Sequence, residues 1–176
     1  DFTPQEIDSS YHFINNNCDM VSHHFDEGIP YEEAFTQSAM PAALVQEINT
    51  RKSKSGRAVY LSVSALDIDR ISKAKYYLYS TLADSTKQRW QAMAFDDPRV
   101  VTAYVNYVNY LISVFNPIYV NFGVESNSEN WNATVFAKYE TFLASVYAQL
   151  KAGHSQLPMM ISFMAIDHPT AVANAQ

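Results

Sequence analysis

Hydrophobic and polar positions along the 176 residues alternate between two periods. Stretches with apolar residues three and four apart predict helices, and shorter runs with period-2 alternation predict strands. The chain opens on a helix start, with Thr3 as N-cap, Pro4 at the first helical position, Glu6 in the capping-box place, and Ile7, Tyr11 and Ile14 on one face. Asn15, Asn16 and Asn17 end it, and Asp19 to Asp26 follows as a strand. Gly28-Ile29-Pro30 turns the chain into a second helix near Tyr31, carrying Phe35, Leu44, Val45 and Ile48. Pro41 is expected to kink that helix or divide it in two.

Arg57 to Leu66 reads as the next strand. The Tyr-rich connection from Asp67 to Pro98 is longer than a simple βα unit needs, so we read it as an elaborated, partly helical loop over the C-terminal ends of the strands. Asp97-Pro98 restarts a helix with Val101, Tyr104, Val105, Val108, Leu111, Ile112 and Phe115 at helical spacing. A strand from Ile118 to Glu125 follows, then an amphipathic helix from Trp131 to Lys151. A last strand runs from Pro158 to Ile166 and is closed by Asp167, His168 and Pro169. Strands separated by helices run parallel, so the pattern predicts one α/β domain over residues 1–176 with about four parallel strands.

The run NPIYVNFGVESN, Asn116 to Asn127, is the most informative part of this pattern. Alternation turns Val120, Phe122 and Val124 toward covering helices and Tyr119, Asn121, Gly123 and Glu125 the other way. Glu125 then sits at the strand's C-terminal end, where (β/α) barrels keep their active sites. About four strands are roughly half of the eight that close such a barrel, so the expected fold is a partial, half TIM-type barrel. A helix start that precedes any strand, and too little chain after Ala165 for three more βα units, fit either a fragment or copies that complete one another. Inward polar positions at Ser22, Ser62, Ser64, Asn121 and Ser162 need a second sheet across the axis, which predicts a homodimer or higher homo-oligomer.

Composition narrows the function classes. With 48% hydrophobic and 17% charged residues the chain can bury a sizeable core, and a net charge of −6 without a basic stripe argues against nucleic acid as a partner. No long uncharged apolar span is present, which leaves no candidate for a membrane-crossing helix, and no signal peptide is visible, although a mature extracellular chain would have lost one. Cys18 is alone, so neither an internal disulfide nor a thiolate metal cluster is available within one chain. Twelve Tyr, ten Phe and two Trp suit both helix-sheet interfaces and sugar-stacking clefts.

The segments HHFDEGIPYEEA, VYLSVSALD, FNPIYVNFGVESN and VYAQLKAGHSQLPMMISF resemble the second to fifth βα units of TIM-barrel glycoside hydrolases of the retaining clan that includes cellulases and endo-galactanases. The resemblance implies O-glycosyl hydrolysis of a carbohydrate, without a cofactor, with Glu125 as general acid/base. Val124 stands where that clan carries Asn, which leaves the family's contact to the substrate 2-hydroxyl to Asn127 or Asn121. The clan's nucleophilic Glu comes from the seventh strand, outside the units matched. Retaining hydrolysis needs two carboxyl groups about 5 to 5.5 Å apart, one protonated and one attacking, and Glu125 supplies only the first.

Other residues carry secondary readings. His24 and Asp26 share strand parity with Ser22 and face the same way, which suits hydrogen bonds to sugar hydroxyls or structural partners. They are also two of the roughly three or four ligands a metal site needs, with Asp167 and His168 as further sources, which makes a metal-dependent hydrolase the weaker enzyme alternative. Asp67, Asp69 and Arg70 read as a rim salt-bridge group, with Asp67 also as a sugar contact. Trp90 and Trp131 read as stacking platforms or helix-start packing. A cleft of His24, Asp26, Asp67, Asn127 and Trp131 around Glu125 is the leading expectation; the competing one is a non-catalytic, self-associating half-barrel that binds glycan without cleaving it.

Overall fold

The computed structural model describes residues 3–165 and 168–176. It is an α/β structure with a four-stranded, all-parallel sheet in the order β1-β2-β3-β4 and covering helices. Helix α1 (Pro4–Asn17) has the expected capping box, with Thr3 and Glu6 bonding reciprocally, and ends at the half-buried Cys18. Strand β1 (Met20–Phe25) follows. The second helical stretch is divided, as Pro41 predicts: α2 (Tyr31–Thr36) stops at Gln37 with φ 53, and α3 (Ala42–Lys54) starts after Pro41.

Strand β2 (Ala58–Val63) leads into the long connection, which holds α4 (Asp84–Gln91) and leads to α5 (Pro98–Phe115), capped by the Asp97 side chain. Strand β3 (Tyr119–Gly123) precedes α6 (Ala133–Gly153), whose N-cap Asn132 accepts from the amides of Thr134 and Val135. Strand β4 (Met159–Ile161) and α7 (Pro169–Ala173) complete the chain.

In a parallel sheet, paired residues share a face. The register joins Val21 to Val59, His23 to Leu61, Phe25 to Val63 and Leu61 to Val120, all buried. Helices α3, α5 and α6 cover that face: Arg51 lies over the Phe25 ring, Phe115 packs on His23 and Phe25, and Tyr147 stacks on Phe122. A sequential strand order with crossovers of one hand requires this one-sided cover. The opposite face carries Met20, Ser22 and His24, then Tyr60, Ser62, Tyr119, Asn121 and Met160. Here Met20, Tyr119 and Met160 stay 39%, 39% and 37% exposed.

The strand expected over Pro158 to Ile166 pairs only over Met159–Ile161. Beyond Ser162 the Asn127 side chain takes over from the ladder: its Oδ1 accepts from the Met164 amide and its Nδ2 donates to the Met164 carbonyl. Ile166 lies outside the described residues.

Candidate functional site

The C-terminal ends of β1 and β2 bring a polar row onto the uncovered face. His24 is paired with Ser62 and Ser62 with Asn121 in the register. The His24 imidazole bonds Ser62 Oγ through Nδ1 at 3.0 Å and faces Asp26 Oδ2 through Nε2 at 3.3 Å. One side chain thus links two strands and keeps a carboxylate at the rim. His24 and Asp26 therefore stand together, as their shared parity predicts, and both remain partly open to solvent.

Beyond β2 the chain makes a tight turn built by Asp69, whose Oδ1 accepts from the amides of Ile71 and Ser72. Burial acts to raise the Asp69 carboxyl, but these amides and the Ser72 hydroxyl outweigh it and hold it below its ordinary range. The turn fixes Arg70 in the left-handed region at φ 59. Its guanidinium then points back over the sheet: Nη1 donates to the Asp67 carbonyl at 3.2 Å and Nε donates to Glu125 Oε2 at 2.7 Å. Asp67 itself pairs with Lys75 at 3.0 Å, so its carboxylate is turned to a cation from the same connection.

Glu125 reaches this position by a different route from the one the alternation predicts. The pairing of β3 with β4 shifts between Asn121 and Gly123, so strand parity does not run unbroken to Glu125. A turn follows in which Glu125 has φ 52. Ser162 anchors the turn, its Oγ accepting from Asn121 Nδ2 at 2.9 Å and from the Glu125 amide at 3.2 Å. Left-handed backbone in a non-glycine residue costs on the order of 1 kcal/mol, and here both members of one ion pair adopt it. Arg70 is mostly buried while the Glu125 carboxylate stays 43% exposed, so the acid is held from one side and open on the other.

Three expected contributors lie elsewhere in the structure. Asn127 is buried, and beyond Met164 its amide also donates to the Ala171 carbonyl, so it clasps backbone instead of offering its amide to a ligand. Trp131 stacks on Tyr139 at 5.1 Å and donates its indole N–H to the Ser126 carbonyl, which is the helix-start packing reading. Trp90 is in the core, stacked on Tyr31 with its indole N–H on Glu32.

Arg70 was legible only as a rim charge. Nothing in its sequence neighbourhood points to a carboxylate 55 residues away. Among the described residues no three His, Cys, Asp or Glu side chains converge as metal ligands, and Asp167, one of the further ligand sources, lies outside them. Chemically, the end of β3 offers one partly open carboxylate with a fixed guanidinium, and the end of β1 an imidazole with a second carboxylate. Comparison with known proteins finds no matching protein family, no matching curated protein and no matching solved structure.

Proposed function

We propose that the chain is part of a (β/α) barrel of the glycoside hydrolase type, its uncovered sheet face forming the barrel lining and Glu125 transferring the proton in retaining hydrolysis of a carbohydrate. Further βα units or a second copy of the chain would supply the rest of the barrel and the attacking carboxylate. The observation that carries the reading is the Glu125–Arg70 pair. Two residues on left-handed backbone meet at the C-terminal end of a one-sidedly covered parallel sheet, and strain of that kind is retained where position matters. His24 and Asp26 offer an imidazole and a carboxylate to sugar hydroxyls on the same rim.

Arg70 fixes where the carboxylate lies. The second carboxyl group that retaining hydrolysis requires comes from the completing half. The test is Glu125→Gln in whichever assembly shows activity. Turnover of substrates with poor leaving groups falls roughly 10²- to 10⁴-fold while activated aryl glycosides lose far less, since they need little protonation. Equal loss on both substrate types rejects the acid role.

A non-catalytic, self-associating half-barrel is the second reading. It is favoured by the cation beside Glu125 and by the apolar side chains Met20, Tyr119 and Met160 that share the open face with the polar row.

A further inference from the structure

On the helix side of β1, away from the uncovered face, a groove of about 610 Å³ lies between α1, α3 and the segment around Tyr77. Its floor is set by backbone pairing in the connections. Ile29 bridges to Tyr76, with the Ile29 amide donating to Lys75 O, the Tyr77 amide to Ile29 O and the Leu78 amide to Glu27 O. Gly28 permits this approach: it has φ +96, and a Cβ there would meet Lys75 O at 2.7 Å. The pairing lays Tyr77 beside Glu27, and Glu47 and Arg51 of α3 face them across the groove.

The charges in this groove are unevenly matched. Arg51 is fully engaged: it pairs with Glu47 at 2.5 Å, donates to the His24 carbonyl at 2.7 Å and lies over the Phe25 ring. Glu27 forms no ion pair among the described residues. Burial first, and the neighbouring Glu47 next, by its charge and by a side-chain hydrogen bond, push its carboxyl above the ordinary range. Tyr77 is only 2% exposed, and its hydroxyl makes no hydrogen bond among the described residues; since none of their fully buried side-chain oxygens lacks a partner, this hydroxyl is the part of Tyr77 open to the groove, where it lies in the field of both carboxylates. Tyr79 meets Tyr77 edge-on with centroids 5.9 Å apart, and Tyr11 closes the α1 side.

We infer that this groove is a binding site for a primary alkylammonium group, held between the Glu27 carboxylate and the Tyr77 hydroxyl with tyrosine rings as its walls. An ammonium brings three donors and no acceptor, which suits two neighbouring glutamate carboxyl groups and a phenol oxygen that takes no donor from the described residues. Its charge also relieves the repulsion between Glu27 and Glu47, and aromatic faces attract it further. A neutral ligand supplies neither. The inference does not depend on the glycoside hydrolase reading, since it uses none of the residues on the uncovered face.

The test is titration of the full chain with spermidine, followed by calorimetry or by the tyrosine resonances. Glucosamine and glucose serve as a matched pair that differ by one ammonium group. Saturable spermidine binding is expected, with glucosamine bound at least about tenfold tighter than glucose, the size of one charge-assisted hydrogen bond. Glu27→Gln and Tyr77→Phe each weaken spermidine, the former by about tenfold or more, while Glu140→Gln on the exposed side of α6 leaves it unchanged. No saturable binding of spermidine overturns the inference, as does full affinity in either groove variant. Equal binding of glucosamine and glucose by the unaltered chain overturns it too, a comparison that stands even if a variant fails to fold.

Discussion

His23 shows how one residue carries information that its type alone does not. Alternation turns it to the helix side, where it is 2% exposed and its ring lies 4.8 Å from that of Phe115. Burial first, and the nearby Arg51 guanidinium second, lower its pKa from 6.5 to about 4. The folded state therefore holds a neutral imidazole where the unfolded chain would take up a proton. Between pH 6.5 and 4 the unfolded state binds more protons, so stability is full above pH 6.5 and falls as the pH drops through this window. The loss is at most about 3 kcal/mol by the usual conversion of a pKa difference. Denaturant melts of the native chain and of His23→Phe across this range check it: the variant is expected to lose most of the slope, and an unchanged slope would place the acid sensitivity elsewhere.

Among the elements, the end of β3 depends on α5. The Tyr104 hydroxyl, fully buried, lies 2.9 Å from the Val63 carbonyl and 2.8 Å from the Phe122 carbonyl, and it shares its single proton between the last residue of β2 and the irregular stretch of β3. Those carbonyls sit where the two strands hand over to the turns that carry Arg70 and Glu125. Tyr104→Phe keeps the ring but leaves both carbonyls without this donor, at a cost of about 1 to 3 kcal/mol. A shift of the denaturation midpoint of that size, together with faster amide exchange at Gly123 to Ser126, is the expected result. Faster exchange confined to α5 would mean that the bond does not hold the turn. Ser162 holds the Glu125 amide from the β4 side and Asn127 clasps the backbone at Met164, so the Glu125 turn is held by one buried phenol and two polar side chains, while Asp69 sets the turn of Arg70.

At the scale of the molecule, the sheet has one finished face and one open face. A parallel sheet normally buries both. Here Met20, Tyr119 and Met160 present large apolar surface on the open side, next to a half-buried His24 and the buried Ser62 and Asn121. The expected consequence is association of the isolated chain into dimers or higher oligomers through that face. Light scattering at micromolar concentration should give a mass above 19.9 kDa, and Tyr119→Lys with Met160→Lys should return it toward the monomer. A monomeric mass for the unaltered chain would remove the self-association reading.

What the sequence determined by itself is local. Apolar spacing and end signals suffice for α1, the division at Pro41, α5 and α6, because each rests on residues within a turn or two of one another, and the alternation of helices with strands suffices for their parallel arrangement. The side on which His24 and Asp26 stand follows from period-2 parity in the same way. The route to Glu125 was not legible, since the irregular pairing of β3 is decided by β4 across the sheet, and its arginine partner comes from a turn shaped by Asp69. Asn127 and Trp131 carry the chemistry of a sugar site in sequence, yet the structure engages both, one as a backbone clasp and the other in an aromatic stack. Tertiary contacts alone decided which polar groups are consumed in holding the fold and which remain open, because a hydrogen bond between residues tens of positions apart leaves no periodic trace along the chain.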